Sequence, residues 1–167
     1  LLSWCFLIIL LFSESEIRAQ QTYESRELPF ELLSIDDGLS QGMVNCTVQD
    51  KLGFLWFGTK DGLNRYDGLR FNVYRNSATD TNSLSDNYIQ SIYEDSKGRL
   101  WIGTSREGLE YFNRETETFY HIRLNPGLNS LSNCVIKIQE DNDHNLWVGT
   151  SDGLFKLSFT EQTISEE

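Results

Sequence analysis

One pentapeptide constrains this chain more than any other feature, because it occurs three times. Leu55-Trp56-Phe57-Gly58-Thr59 returns as Leu100-Trp101-Ile102-Gly103-Thr104 and again as Leu146-Trp147-Val148-Gly149-Thr150. The tryptophans stand 45 and then 46 positions apart. Self-similarity at a fixed period sets the architecture before local preferences are weighed, since each copy must fold as one supersecondary unit. The frame around the pentapeptide repeats as well. An Asp precedes each Trp by six positions (Asp50, Asp95, Asp141), and a Gly-Leu pair follows it (Gly62-Leu63, Gly108-Leu109, Gly153-Leu154). A Leu-Ser pair opens each copy (Leu39-Ser40, Leu84-Ser85, Leu131-Ser132).

The second copy shows what the unit is. Residues 87–94 (NYIQSIYE) are rich in β-branched and aromatic side chains and read as a first strand. Turn residues fill 95–98, a second strand 99–104, a turn 105–108, a third strand 109–113, a turn 114–117 and a fourth strand 118–124. Four antiparallel strands joined by short hairpins make a propeller blade. The fold expected is therefore all-β: a partial β-propeller of about three four-stranded blades. They cover residues 39–75, 84–124 and 131–167, the last incomplete, with a fourth strand only beginning at Thr163-Ile164. Residues 29–36 precede the first Leu-Ser as fourth strands precede the later ones. They read as an N-terminal closing strand that would complete the last blade of a ring and remove its open edge. Because the chain lacks an initial Met and stops within its third repeat, it reads as the N-terminal fragment of a longer protein.

Strand faces follow the same alignment. Val44, Ile89 and Val135 correspond, and so do Thr47, Ile92 and Ile138 three places on, which a strict two-residue count puts on the opposite face. Both faces then need cover, as they have in a blade between two neighbours. Trp56, Trp101 and Trp147 read as wedges between blades. Burying about 150–250 Å² of indole at ~25 cal/mol/Å² stabilises by roughly 4–6 kcal/mol at most. Gly58, Gly103 and Gly149, two residues on along the same face, read as places of close approach by the next blade. Gly53, Gly98 and His144 hold the last position of the first hairpin turn, which favours a left-handed residue.

Residues 1–12 are an unbroken apolar run, shorter than the roughly 20 residues needed to span a bilayer. With Ala19 as a small residue at a cleavage position, residues 1–20 read as a secretory signal peptide and 21–28 as a polar leader. The alternative is an uncleaved anchor. Either way the blades are exported, to the periplasm or the extracellular face. The formal net charge of −11 argues against a nucleic-acid partner, since phosphate binding needs a basic footprint. Cys46 and Cys134, in non-equivalent places, read as small buried hydrophobes rather than a disulfide.

These residues resemble the two-component regulator propeller repeat. Its pattern, G-L-S-x-x-x-V, then D-x-x-G, then L-W-x-G-T-x-x-G-L-x-x-Y, runs from Gly38-Leu39-Ser40 to Tyr66-Asp67-Gly68 almost residue for residue. The second copy opens Asn82-Ser83-Leu84-Ser85 and has Phe112 for the Tyr. The third has Asp143-His144 at the turn and Leu157 for the Tyr. The resemblance implies a periplasmic sensor region. It also implies partners in the same chain: the remaining blades, an immunoglobulin-like domain, a transmembrane helix and a histidine kinase or other output domain. It allows a homodimer of the full-length protein.

No catalytic motif appears: there is no nucleophile elbow, phosphate loop, CxxC or HExxH. The Asp50, Asp95 and Asp141 set reads as turn residues bonding the backbone two positions on. Asp141 to Asn145 has Leu146 where a calcium loop needs Gly, so neither a metal nor another cofactor is implied. His121 reads as a half-exposed residue of an outer strand. Loops on a rigid scaffold carry binding. The candidate ligand-binding residues are therefore those of the turns between second and third strands: Lys60, Asp61, Arg106, Glu107 and Asp152. These are expected to share a face with the polar interblade loops 75–87 and 125–133. Three functions fit: a ligand-sensing ectodomain for an oligosaccharide or other small ligand, a secreted lyase-like propeller enzyme, and a protein-binding scaffold.

Overall fold

A computed structural model describes residues 28–124 and 133–159. The signal segment, most of the leader and Thr163-Ile164 lie outside the described residues. Contacts divide the chain into two units at Leu32/Leu33. The described part of the first unit is residues 28–32, which hold no regular secondary structure.

The second unit is three antiparallel sheets in sequence. The first contains β1 (Val44–Gln49), β2 (Leu55–Thr59), β3 (Gly62–Tyr66) and β4 (Phe71–Tyr74). The second contains β5 (Ile89–Glu94), β6 (Leu100–Thr104), β7 (Leu109–Asn113) and β8 (Thr118–Ile122). The third contains β9 (Val135–Glu140), β10 (Leu146–Thr150) and β11 (Gly153–Leu157). Each strand pairs with the next one in the chain, so each sheet is a meander of hairpins. Successive sheets meet at their first two strands: β1 and β2 lie against β5, and β5 and β6 against β9. That is the blade-on-blade arrangement of a propeller.

Residues 28–34 form no strand, contrary to the expectation for 29–36, and Ile35–Asp37 is a 3-10 turn. A strand needs a ladder partner, and the sheet this segment would complete is not among the described residues. Local bonds take over instead. Ser34 caps the turn, its hydroxyl accepting from the Asp36 N–H, while the Asp37 carboxylate accepts from the Ser34 N–H at 2.7 Å.

The first strands depart from strict alternation. The register shifts between Val44 and Cys46 and between Ile89 and Ser91, leaving Asn45 and Gln90 as extra residues. A third shift falls at the Gly149/Thr150 end of the β9–β10 ladder. Ile89 opposes Thr104 and Ile92 opposes Ile102, so the bulge puts Ile89 and Ile92 on one face, not on opposite faces. Two buried clusters result. One joins Trp56, Leu63 and Leu84 to Ile89, Ile102 and Phe112, and the other joins Trp101 and Leu109 to Val135, Ile138 and Val148. Each lies between two adjacent sheets.

Gly53 (φ 91°), Gly98 (φ 81°) and His144 (φ 62°) are all left-handed, as the first hairpin turn demands.

Candidate functional site

The face that gathers the candidate residues is built from the turns after β2, β6 and β10. The Thr of each pentapeptide pins its own turn: Thr59, Thr104 and Thr150 donate to the carbonyls of Gly62, Gly108 and Gly153 at 3.0 Å in every case. The loop between the first two sheets runs between two of these turns. Its Asn87 carbonyl accepts from the Gly62 N–H, and its Tyr88 carbonyl accepts from the Ser105 N–H. The β2–β3 and β6–β7 turns and this interblade loop therefore share one face.

On that face the five candidate residues do not converge. The Lys60 ammonium stands 5.3 Å above the Tyr88 ring. Asp61 pairs with Arg75 at 3.0 Å, and Glu107 pairs with Arg123 at 3.4 Å. Arg106 pairs at 3.1 Å with Asp86, whose carboxylate is buried. Asp152 is exposed, with its N–H given to Thr150 Oγ1. Among the described residues no ion pair links the β2–β3, β6–β7 and β10–β11 turns to one another, so this face carries separate plus–minus pairs rather than one charged centre.

Two clefts lie near these elements. One of about 290 Å³ is bordered by Asn76, Ser77, Asp80, Ser83, Ser85 and His121 beside the first interblade loop. The other, about 320 Å³, follows the first strands past Asn45, Thr47, Gln90 and Lys137. Among the described residues no group of three metal-ligating side chains converges. Cys46 and Cys134 are free thiols, and burial pushes the Cys46 thiol up to about 11.

The Asp–Trp frame does more than shape a turn. Asp50 Oδ1 accepts from the N–H groups of Leu52 and Phe54, and its Oδ2 accepts from the Trp56 indole N–H at 2.7 Å. Asp95 does the same for Trp101 at 2.9 Å, and Asp141 for Trp147 at 2.7 Å. The six-residue spacing thus ties the hairpin turn to the wedge. Three sequence segments, 38–61, 83–106 and 129–152, match the family model described as two component regulator propeller. These are two-component regulator propeller repeats.

A histidine kinase of Formosa agariphila, Histidine kinase P4, is 40% identical over 79 residues, which are 47% of this chain and 6% of that one. The extracellular domain assigned to a hybrid two component system of B. thetaiotaomicron superposes with a TM-score of 0.64 at 31% identity, covering 80% of this chain and 20% of that one. A second such domain from the same organism gives 0.63 at 28% identity, over 86% and 21%. The chain therefore spans about a fifth of these extracellular domains and far less of the kinase.

Within the propeller repeats, the Leu-Ser opening has a fixed anchor that the sequence reading missed. The Ser40 N–H donates to Asn64 Oδ1 at 2.9 Å, and the Ser85 N–H donates to Glu110 Oε1 at 3.0 Å. Asn64 and Glu110 follow the repeated Gly-Leu directly, and both are fully buried. The signal was a polar residue in register with a core position; Phe155 fills it in the third repeat. Burial raises the Glu110 carboxyl above its ordinary pKa, while Ser85 and His121 act against the rise.

Proposed function

We propose that these blades are the N-terminal part of an extracytoplasmic ligand-sensing propeller in a two-component regulator. Its ligand is a carbohydrate held on the loop face. Its binding is relayed to a cytoplasmic kinase or other output domain encoded further along the gene, and the blades themselves sense rather than catalyse. The observation that carries this reading is a set of three propeller repeats, the first two of which present paired guanidinium and carboxylate groups on their loops. Such groups hydrogen-bond neighbouring hydroxyls in fixed directions, as sugar recognition requires. The extracellular domains named above support export of this chain too.

The test is calorimetric titration of the complete ectodomain with a broad panel of oligosaccharides. Saturable binding that Arg106→Ala weakens supports the reading. Silence across the panel counts against carbohydrate sensing. A full reading frame without a membrane span or kinase-like module counts against the relay.

A further inference from the structure

The first interblade loop, residues 75–88, is fastened from beneath by one buried acid. Glu110 sits on β7 with no side-chain exposure, and its Oε1 accepts from both the N–H and the hydroxyl of Ser85. Its other oxygen, Oε2, has no hydrogen-bond partner. The residue opposite on β8 is His121, whose Nδ1 stands 3.6 Å from that oxygen. The second imidazole nitrogen, Nε2, lies 3.0 Å from the carbonyl oxygen of Thr81, in the middle of the loop.

The Thr81 contact sets the tautomer of His121. A carbonyl only accepts, so Nε2 must carry the hydrogen in the Thr81 bond. A neutral imidazole has one N–H, so its Nδ1 then turns a lone pair toward Oε2. An ionised carboxylate there would face that lone pair with no hydrogen between them. At 3.6 Å the two atoms are not yet bonded, and one further proton, on Oε2 or on Nδ1, turns that facing pair into a donor and an acceptor. The other charged group facing Glu110 is Asp86, whose charge favours keeping that proton. The Arg106 guanidinium is engaged by Asp86 at 3.1 Å. From β6 the residue opposite Glu110 is Ile102, which brings no charge.

We propose that Glu110 and His121 form a one-proton latch on the first interblade loop. With the shared proton in place, Thr81 and Ser85 are both held. With it gone, the single imidazole N–H must choose between Thr81 and the buried carboxylate. The carboxylate wins, because an unpaired buried charge costs more than a carbonyl near water. The loop then lets go at Thr81. Burial raises the proton affinity of Glu110 in the folded state, so loop order is present at low pH and is lost as pH rises through the titration of that buried carboxyl. The cleft beside this loop, bordered by Asp80, Ser83 and His121, changes shape with it. This latch goes beyond ligand sensing and stands whether or not a sugar binds.

Hydrogen exchange of the segment 76–85 in the full-length chain tests it, with rates corrected for intrinsic pH dependence, from about pH 5 to about pH 8. Protection is expected to fall with pH, by up to about tenfold per unit, the limit for one proton. In Glu110→Gln the amide N–H₂ replaces the missing proton, so protection should be the same across the range. His121→Gln, whose amide does not titrate, serves if that variant fails to fold, and it too should lose the pH dependence. Flat protection in the unmodified chain overturns the latch, and so does an undiminished pH dependence in either variant. Ser85→Ala leaves the pair intact, so its pH dependence should persist; a flat response there overturns the assignment to Glu110 and His121.

Discussion

Trp56 and Trp147 hold the same place in their repeats, yet the first is sealed and the second is half-buried. Both indoles donate to the Asp six positions earlier, at 2.7 Å in each case. What differs is the neighbour. Trp56 meets the Phe112 ring of the next sheet at 5.3 Å, and Arg114 of that sheet reaches across to Asp50 at 2.6 Å. Over Trp147 stands Lys156 of its own sheet, at 5.3 Å. Leu63 and Leu109 are fully buried, while the equivalent Leu154 is 64% exposed. The hydrogen bonds therefore belong to the repeat, and the burial belongs to the pair of repeats. A single blade is an incomplete folding unit, which is why such units occur in series.

The largest effect expected from this contrast is at the indoles. Trp56→Ala or Trp101→Ala should cost about 3–5 kcal/mol, the range for deleting a buried aromatic. Trp147→Ala should cost clearly less in this chain. Chemical denaturation of the three variants measures it, and equal losses would break the comparison. Under the proposed reading, in which further blades follow, adding them sharpens it. If another sheet packs there, the cost at Trp147 should rise to meet the others.

The glycines come next. A methyl group at Gly58 would lie 2.5 Å from Cys46 Sγ and 2.7 Å from Ile89 Cγ2. At Gly103 it would lie 2.5 Å from Val135 Cγ1. At Gly149 the nearest atom is 3.7 Å away. Gly58→Ala and Gly103→Ala should each cost about 1–3 kcal/mol through overpacking. Gly149→Ala should change stability by no more than about 0.5 kcal/mol. Thermal melts of the three variants decide the matter.

Much of this was legible in the sequence, because the repeat does the work of an alignment. The spacing of the tryptophans located the sheets, and two of the glycines two residues on, Gly58 and Gly103, marked where sheets approach, whereas Gly149 has only its own sheet's Lys137 nearby. What escaped notice was what alternation hides. The bulges at Asn45 and Gln90 insert a residue where the side-chain pattern gives no warning, so Ile89 and Ile92 were placed on opposite faces. The bond from indole to Asp could not be read from the Asp alone, since a turn residue and an indole acceptor look alike on paper. Glu110 was overlooked for a related reason. A lone acid in a strand usually points to water, and only the structure shows it buried under a Leu-Ser turn. The turns that carry Lys60, Asp61, Arg106 and Glu107 share a face with the first interblade loop, but sequence could not tell that Asp61, Arg106 and Glu107 are each already paired within their own neighbourhood.

Acid should erode both kinds of repeat. The Asp141 carboxyl is held down at about 2, first by the Trp147 N–H and then, against some burial, by the N–H groups of Asn145 and Asp143. For Asp50, burial pushes upward, but the Trp56 indole, Arg114 and Phe54 outweigh it and hold the carboxyl below its usual range. A depressed folded-state pKa contributes stability that is complete above the unfolded value near ~4 and is lost as pH falls through the folded one. Denaturation midpoints should therefore drop between about pH 4 and pH 2. Asp141→Asn should remove part of that slope, and a variant with the full slope would show that the indole bond does not couple to folding.

The smallest effect is expected where charge is most visible. Asp61 and Arg75 pair at 3.0 Å with both side chains 46% exposed, whereas Arg114 joins Asp50 at 22% and 0%. Water screens the first pair and is largely excluded from the second, so two direct contacts carry unequal energy. Arg75→Ala should shift stability by about 0.2–1 kcal/mol, and that shift should shrink in high salt. Arg114→Ala leaves Asp50 buried without its cation, and its larger loss should barely respond to salt. A salt titration of both variants separates the cases. If Arg75→Ala proves the costlier of the two, the loop face is part of the framework and not the adaptable surface that ligand sensing needs.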